Sequence, residues 1–275
     1  MKYKLVVSDF DGTLLKDDLT VSQRSIDSIK KYIALGGNFI VCTGRMVQSL
    51  DKWVKILGLD KEKIATIGFQ GALVSDSQGN ILHHQTIDYL EAYDIIKLSE
   101  DLGVYSHIYD DKNLYVARPE PVNIEYCEIT DIEMKVVGKL SDFILKNKFS
   151  PTKMMWVIQP KDTEKYETLM KDRLKTSHCF MSSDTYLEFI AKDSSKGNAI
   201  KVACDILGID LDDCIALGDQ MNDLSMINTA GVGIAMANSR QEVLDKADYV
   251  TKSNNEDGVA LVLEKIIEDC ENGKN

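Results

Sequence analysis

Short apolar runs in this chain alternate with longer stretches whose apolar residues recur every third or fourth position. Leu5, Val6 and Val7 form the first run, and its β-branched residues read as a strand buried on both faces. Ser22 is placed to cap a helix that carries Ile26, Ile29 and Ile33 on one face, and Gly36-Gly37 stop it. Asn38 to Cys42 read as a second buried strand. Val47, Leu50, Val54 and Leu57 then form the stripe of a second helix, with Gly58 at its end. Residues 64–67 make a third short strand. Strand–helix–strand–helix–strand order predicts parallel pairing with right-handed crossovers.

The rhythm breaks near Gly71. Residues 72–75 and 81–84 read as a hairpin around the polar turn 76–80. Between about 88 and 184 the pattern predicts a helix over 89–102, strands over 104–109 and 154–158, a helix over 163–174 and a strand near 178–181. All four prolines (Pro119, Pro121, Pro151, Pro160) fall in this stretch. It reads as an inserted α+β domain with an antiparallel sheet, occupying 85–186 between core segments 1–84 and 187–275. The α/β rhythm then returns. Lys196-Gly197 open a helix through Ala199, Val202, Ala203 and Ile206, closed by Gly208. Strands over 214–217 and 233–235, a short helix over 240–247 and a final helix over 258–270 follow, with fraying expected over 271–275.

Composition narrows the function. The 275 residues, 44% of them hydrophobic, suffice for a large core with an insertion. A net charge of -12 argues against nucleic-acid binding, which needs a basic surface. It also means that an anionic substrate needs a local cation or helix amino-termini. No signal-peptide pattern is read at the start, and no apolar run approaches the ~20 residues of a membrane span. The six cysteines lack metal-ligand spacing and read as reduced residues, so a cytoplasmic protein is expected.

Four polar clusters carry the candidate chemistry. Asp9 and Asp11 follow the first strand, where ligands of open α/β sheets bind, and Gly12-Thr13 turn the chain there. Two carboxylates so close repel, and a hard divalent cation is their natural compensation. Alone, Asp-x-Asp is an acidic turn. Thr43-Gly44 follow the second strand and offer a hydroxyl and a backbone N–H to a phosphoryl oxygen. Alone, they too are an ordinary turn. Lys196, entering a helix, could bring a cation to an anion, or could be a solvated surface lysine. Gly218-Asp219 with Asn222-Asp223 place two more carboxylates after a strand, in positions equally suited to helix capping.

Taken together, the four clusters resemble the haloacid dehalogenase superfamily, whose members mostly transfer phosphoryl groups. The resemblance rests on Asp-Phe-Asp-Gly-Thr at 9–13, Thr43 in Val-Cys-Thr-Gly-Arg, Lys196 in Ser-Ser-Lys-Gly, and Gly-Asp-Gln-Met-Asn-Asp at 218–223. The place of the insertion is similar to that in the Cof-type branch of sugar-phosphate phosphatases. The resemblance covers essentially the whole chain. It implies a Rossmann-like, doubly wound parallel sheet with an inserted α+β cap that closes over the site and selects substrates. It further implies Asp9 as nucleophile through an aspartyl-phosphate, Asp11 as general acid and base, and Lys196 as charge screen. Phe10 (N–H), Thr43, Gly44 and Asn222 would hold phosphoryl oxygens. Magnesium would sit on Asp9, the Asp11 carbonyl and Asp219, with Asp223 orienting Lys196 or a metal-bound water. One departure is Gln70-Gly71-Ala72, where the branch commonly has Asn-Gly-Ala. The resulting expectation is a magnesium-dependent phosphatase of small phosphorylated metabolites such as sugar phosphates, flavin mononucleotide or pyridoxal phosphate, acting as monomer or homodimer. A sugar-phosphate mutase and a phosphometabolite-binding regulator without turnover are the alternatives.

Overall fold

The computed structural model describes residues 1–273. In chain order the first elements are β1 (Leu5–Asp9), α1 (Gln23–Ala34), β2 (Asn38–Cys42), α2 (Asp51–Leu57), β3 (Thr66–Gly68), β4 (Leu73–Ser75) and β5 (Ile81–His84). Next come α3 (Tyr89–Leu102), β6 (Tyr105–Tyr109), β7 (Asn113–Val116), α4 (Pro121–Thr130), β8 (Glu133–Val136), α5 (Leu140–Asn147), β9 (Lys153–Val157), α6 (Thr163–Lys171), β10 (Ser177–Ser183) and β11 (Tyr186–Ala191). The chain ends with α7 (Lys196–Leu207), β12 (Cys214–Gly218), α8 (Leu224–Ile227), β13 (Val232–Ala235), α9 (Gln241–Leu244), β14 (Tyr249–Val250) and α10 (Gly258–Glu271). These elements form two compact units, one of 1–83 with 195–273 and one of 84–194. No helix among the described residues is long and apolar enough to cross a membrane.

In the first unit an eight-stranded sheet runs in the order β14-β13-β12-β1-β2-β3-β4-β5. Pairing is parallel from β14 to β3 and antiparallel between β3 and β4. Alternate residues of each central strand enter opposite cores. Val6, Phe39, Val41, Ile215 and Leu217 pack with Ile29 of α1 and Leu263 and Ile267 of α10. Leu5, Val7, Ile40, Cys214 and Ala216 pack with Ala199, Ile200 and Ala203 of α7. Burial on both faces is why these strands lack polar alternation. It leaves polar side chains to the strand ends, and in open α/β sheets ligands bind at the carboxyl ends. The Ser22 hydroxyl caps α1 by accepting from the Ser25 N–H, and Gly58 and Gly208 end α2 and α7 in left-handed conformations.

The second unit holds a six-stranded sheet in the order β10-β11-β9-β6-β7-β8. One face packs Ile108, Met154, Trp156, Leu187 and Phe189 against Ile95, Leu140, Ile144 and Met170 of the helices. The sheet is mixed, and not wholly antiparallel as the sequence suggests. β7 and β8 run parallel because α4 carries the chain between them, and a parallel pair needs such a crossover. β11 pairs with β10 and β9, so the chain rejoins the first unit at Ser195, beyond the 186/187 boundary read from the sequence. The first turn of the second helix is a separate 3-10 turn, Val47–Leu50. At the far end, Glu271 still belongs to α10, and residues 274–275 of the expected frayed end lie outside the described residues.

His107, on β6, is buried with both ring nitrogens engaged, Nε2 with the Tyr109 hydroxyl at 3.0 Å and Nδ1 with the Asn123 amide at 3.1 Å. Burial, with the charge of Lys153 adding to it, lowers its pKa to about 3.

Candidate active site

The site lies in the first unit, at the carboxyl ends of β1, β2 and β12. Asp9 is the last residue of β1, where the side chain is buried but the chain is turning away from the sheet. Ser195 caps α7 through its hydroxyl, which fixes Lys196 as the first helical residue. The Lys196 ammonium then reaches Asp9 Oδ1 and Asp223 Oδ1, each at 2.5 Å, with all three residues buried. Asp223 is held in turn, because its Oδ2 accepts from the backbone N–H groups of Asp219 and Gln220 at 2.9 Å. Asp219 accepts from the Thr13 hydroxyl on Oδ1 and from the Gln220 amide on Oδ2, both at 2.9 Å. Gly12 sits against Asp219 with φ +79°, and a Cβ there would lie 2.7 Å from Asp219 Oδ2. Glycine meets both demands, a left-handed backbone and no side chain.

One oxygen each of Asp9, Asp219 and Asp223 lies within 4.8 Å of the others, in a group that could hold a metal ion. Fully ionised, the three carboxylates would carry three negative charges against the single Lys196 ammonium, two more than it can balance. The electrostatics follow. Burial, then repulsion from Asp223, pushes the Asp9 carboxyl well above the ordinary carboxylate range, although Lys196 opposes the shift. Asp219 is pushed up to about 6 by burial and the Asp223 charge. For Lys196, burial favours the neutral amine, but Asp223 and Asp9 outweigh it and hold the ammonium well above its ordinary value. A hard divalent cation with oxygen ligands would compensate the excess charge, and the all-oxygen donor set fits such an ion.

Asp11 is not part of the carboxylate group. Its side chain is half-exposed and is gripped by the Arg45 guanidinium, with Nε donating to Oδ2 at 2.8 Å and Nη2 to Oδ1. Arg45 also lies over the ring of the buried Phe10, with its guanidinium carbon 5.8 Å from the centroid. Thr43, directly after β2, is buried, and its hydroxyl accepts from the Arg45 N–H at 3.1 Å. Gly44 passes close to the Gln70 amide. Asn222 donates to Gln70 Oε1 at 2.8 Å. The structure thus brings Asp9, Lys196, Asp219 and Asp223 into one buried cluster. Asp11 stands beside Arg45, and Asn222 is tied through Gln70 to the loop after β2. Sequence reasoning assigned no role to Arg45 or to Gln220. The signal for Arg45 was a cation two residues beyond Thr43 in an acidic chain.

The chain matches the haloacid dehalogenase-like hydrolase family over residues 6–263. It is 30% identical to YxeH of Bacillus subtilis, over 96% of this chain and 98% of that protein. It is 28% identical to Phosphatase YwpJ of the same organism, over 96% of this chain and 100% of that protein. A crystal structure of a haloacid dehalogenase-like hydrolase from Bacteroides thetaiotaomicron has the same fold, with a TM-score of 0.85 at 23% identity over 96% of this chain and 99% of that one. With the family matched across nearly the whole chain and its acidic cluster assembled around Lys196, this protein belongs to the haloacid dehalogenase-like hydrolases.

Proposed function

We propose that this hydrolase is a magnesium-dependent phosphatase that cleaves small phosphorylated metabolites through an aspartyl-phosphate at Asp9. The observation that carries the reading is the buried Asp9–Lys196–Asp223 chain beside Asp219. A structural ion pair has no need of a third carboxylate pressed against it, since uncompensated buried charge is costly. A site that must receive a metal and then a phosphate dianion has that need. The phosphatase name of the relative YwpJ points the same way.

In this reading Asp9 attacks phosphorus, an O–P bond to its carboxylate forms, and the ester O–P bond breaks. Lys196 fixes the Asp9 carboxylate in place and lowers the repulsion between it and the incoming dianion. Asp11 gives its proton to the departing alkoxide, then takes one from the water that attacks the aspartyl-phosphate and restores Asp9. Arg45 holds Asp11 by both oxygens until substrate arrives. Thr43, the N–H groups of Phe10 and Gly44, and the Asn222 amide bind the phosphoryl oxygens. Magnesium, bound by Asp9, the Asp11 carbonyl and Asp219 with Asp223 behind them, would supply the positive charge that an anionic substrate requires in this acidic chain. The inserted second unit is the part we assign to substrate choice.

A phosphate-release screen over sugar phosphates, flavin mononucleotide and pyridoxal phosphate, with and without magnesium, tests the proposal. Release of inorganic phosphate that depends on the metal is expected. Conversion of a sugar phosphate to an isomer without free phosphate would replace the phosphatase with a mutase.

A further inference from the structure

The segment Phe69–Gln70–Gly71 between β3 and β4 is the most unusual backbone near the site. All three residues have left-handed φ, at 51°, 58° and 96°. Non-glycine residues rarely adopt it, and two in succession need neighbours that dictate the shape. Those neighbours are the loops of the site. The Phe69 N–H donates to the Arg45 carbonyl at 2.9 Å and the Gln70 N–H to the Thr43 carbonyl at 3.1 Å. Gly71 lies under the start of α7, where a Cβ would come 2.2 Å from the Ser195 carbonyl oxygen, one residue before Lys196. The Gln70 side chain is buried. A Cβ on Gly44 would lie 2.4 Å from its Nε2, and its Oε1 accepts from the Asn222 amide at 2.8 Å. One strained turn therefore touches the loop after β2, the first residue of α7's approach and the loop after β12.

From this we infer that Gln70 is a positioning residue that sets Asn222 against the Thr43-Gly44 loop and so fixes the width of the phosphoryl-oxygen pocket. The inference rests on the proposed function, because it assigns Gln70 a task in binding the same group. The amide of Asn222 has several rotamers open to it on a half-exposed turn. Acceptance by Gln70 Oε1 selects one. Gln70 itself cannot swing, because Gly44 on one side and its own left-handed backbone on the other confine it. A residue that acts only through Asn222 should lose its effect once the Asn222 amide is gone.

A double-mutant cycle tests this with inorganic phosphate as the probe, in magnesium buffer, alongside kcat and KM for p-nitrophenyl phosphate. Gln70→Met keeps length and volume without the amide. Loss of one orienting hydrogen bond should weaken phosphate binding and raise KM by roughly 3–10-fold, with kcat moving less. In the Asn222→Ala background, Gln70→Met should add nothing further. Losses that add, or a Gln70→Met enzyme with wild-type phosphate affinity, would overturn the inference while leaving the phosphatase reading intact. A wild-type protein that neither releases nor binds phosphate would overturn both. If Gln70→Met does not fold, Gln70→Ala in the same cycle carries the same two outcomes.

Discussion

Arg45 holds both carboxylate oxygens of Asp11, with its Nε 2.8 Å from Oδ2. The two residues follow neighbouring parallel strands, β1 and β2, so the sheet itself fixes the distance over which the pair forms. A bidentate fork sets the plane of the carboxylate as well as its position. If Asp11 serves as the acid, one of its oxygens must leave Arg45 to carry the proton, while the other contact keeps the carboxyl in place. Arg45→Lys keeps the charge and loses the fork. Its kcat should fall by about 10-fold or more on an alkyl phosphate, whose leaving group needs a proton, and far less on p-nitrophenyl phosphate. Equal losses on both esters would show that Arg45 serves binding instead.

Asp11→Asn should slow both half-reactions if, as proposed, one carboxyl acts first as acid and then as base. General acid–base catalysis contributes about 10²–10⁴-fold, and the loss should lie in that range on an alkyl phosphate. A loss below tenfold would assign the proton transfers to another group.

Gly12→Ala tests the proposed metal site without substituting any of its carboxylates. The new methyl would meet Asp219 Oδ2 at 2.7 Å on a backbone that disfavours alanine, so Asp219 must move. Displacing a ligand through its support typically costs about 10–100-fold in metal affinity, and the magnesium needed for half-maximal activity should rise accordingly. An unchanged magnesium requirement in a folded variant would remove Asp219 from the site.

The second unit carries its own pH dependence through His107. The unfolded chain takes up a proton near the ordinary value of 6.5, and the folded one not until about 3. Between those values the unfolded state binds more protons, so stability falls as pH falls, by up to about 1.4 kcal/mol per pH unit from this one group. Below about 3 the slope from this group vanishes. Buried carboxyls with raised pKa, such as Asp219, act with the opposite sign. The difference between wild type and His107→Gln therefore isolates the histidine. Thermal melts from pH 7 to pH 4 should show wild type losing stability faster than the variant; parallel curves would contradict the assignment.

Much of the first unit was legible because its signals are local. Phe39–Cys42 is an unbroken apolar run, and α1 and α7 have serine caps and glycine stops near their ends. The second unit was less legible. α4 exposes Ile124 and Ile129 and carries no clear apolar stripe, and β8 is a short strand with both ends exposed. Neither has the pattern that burial on one face imprints on a sequence. At the candidate site, the residue types and their places after strands could be read. The pairings could not. Arg45 meets Asp11 and Gln70 meets Asn222 across long stretches of chain, and the left-handed turn at Phe69 and Gln70 has no asparagine or glycine at those positions to announce it. Its shape is dictated by the loops it touches.

In the proposed mechanism Asp9 becomes phosphorylated during turnover. Mixing the enzyme, magnesium and a phosphate-labelled ester, then quenching in acid within the first turnover, tests it most directly, since an acyl phosphate survives brief acid treatment. Label should appear on the chain, map to the peptide containing Asp9, and be absent from Asp9→Asn, which should be folded but inactive. No label on the wild-type chain during active turnover, or near-wild-type kcat in Asp9→Asn, would contradict the account.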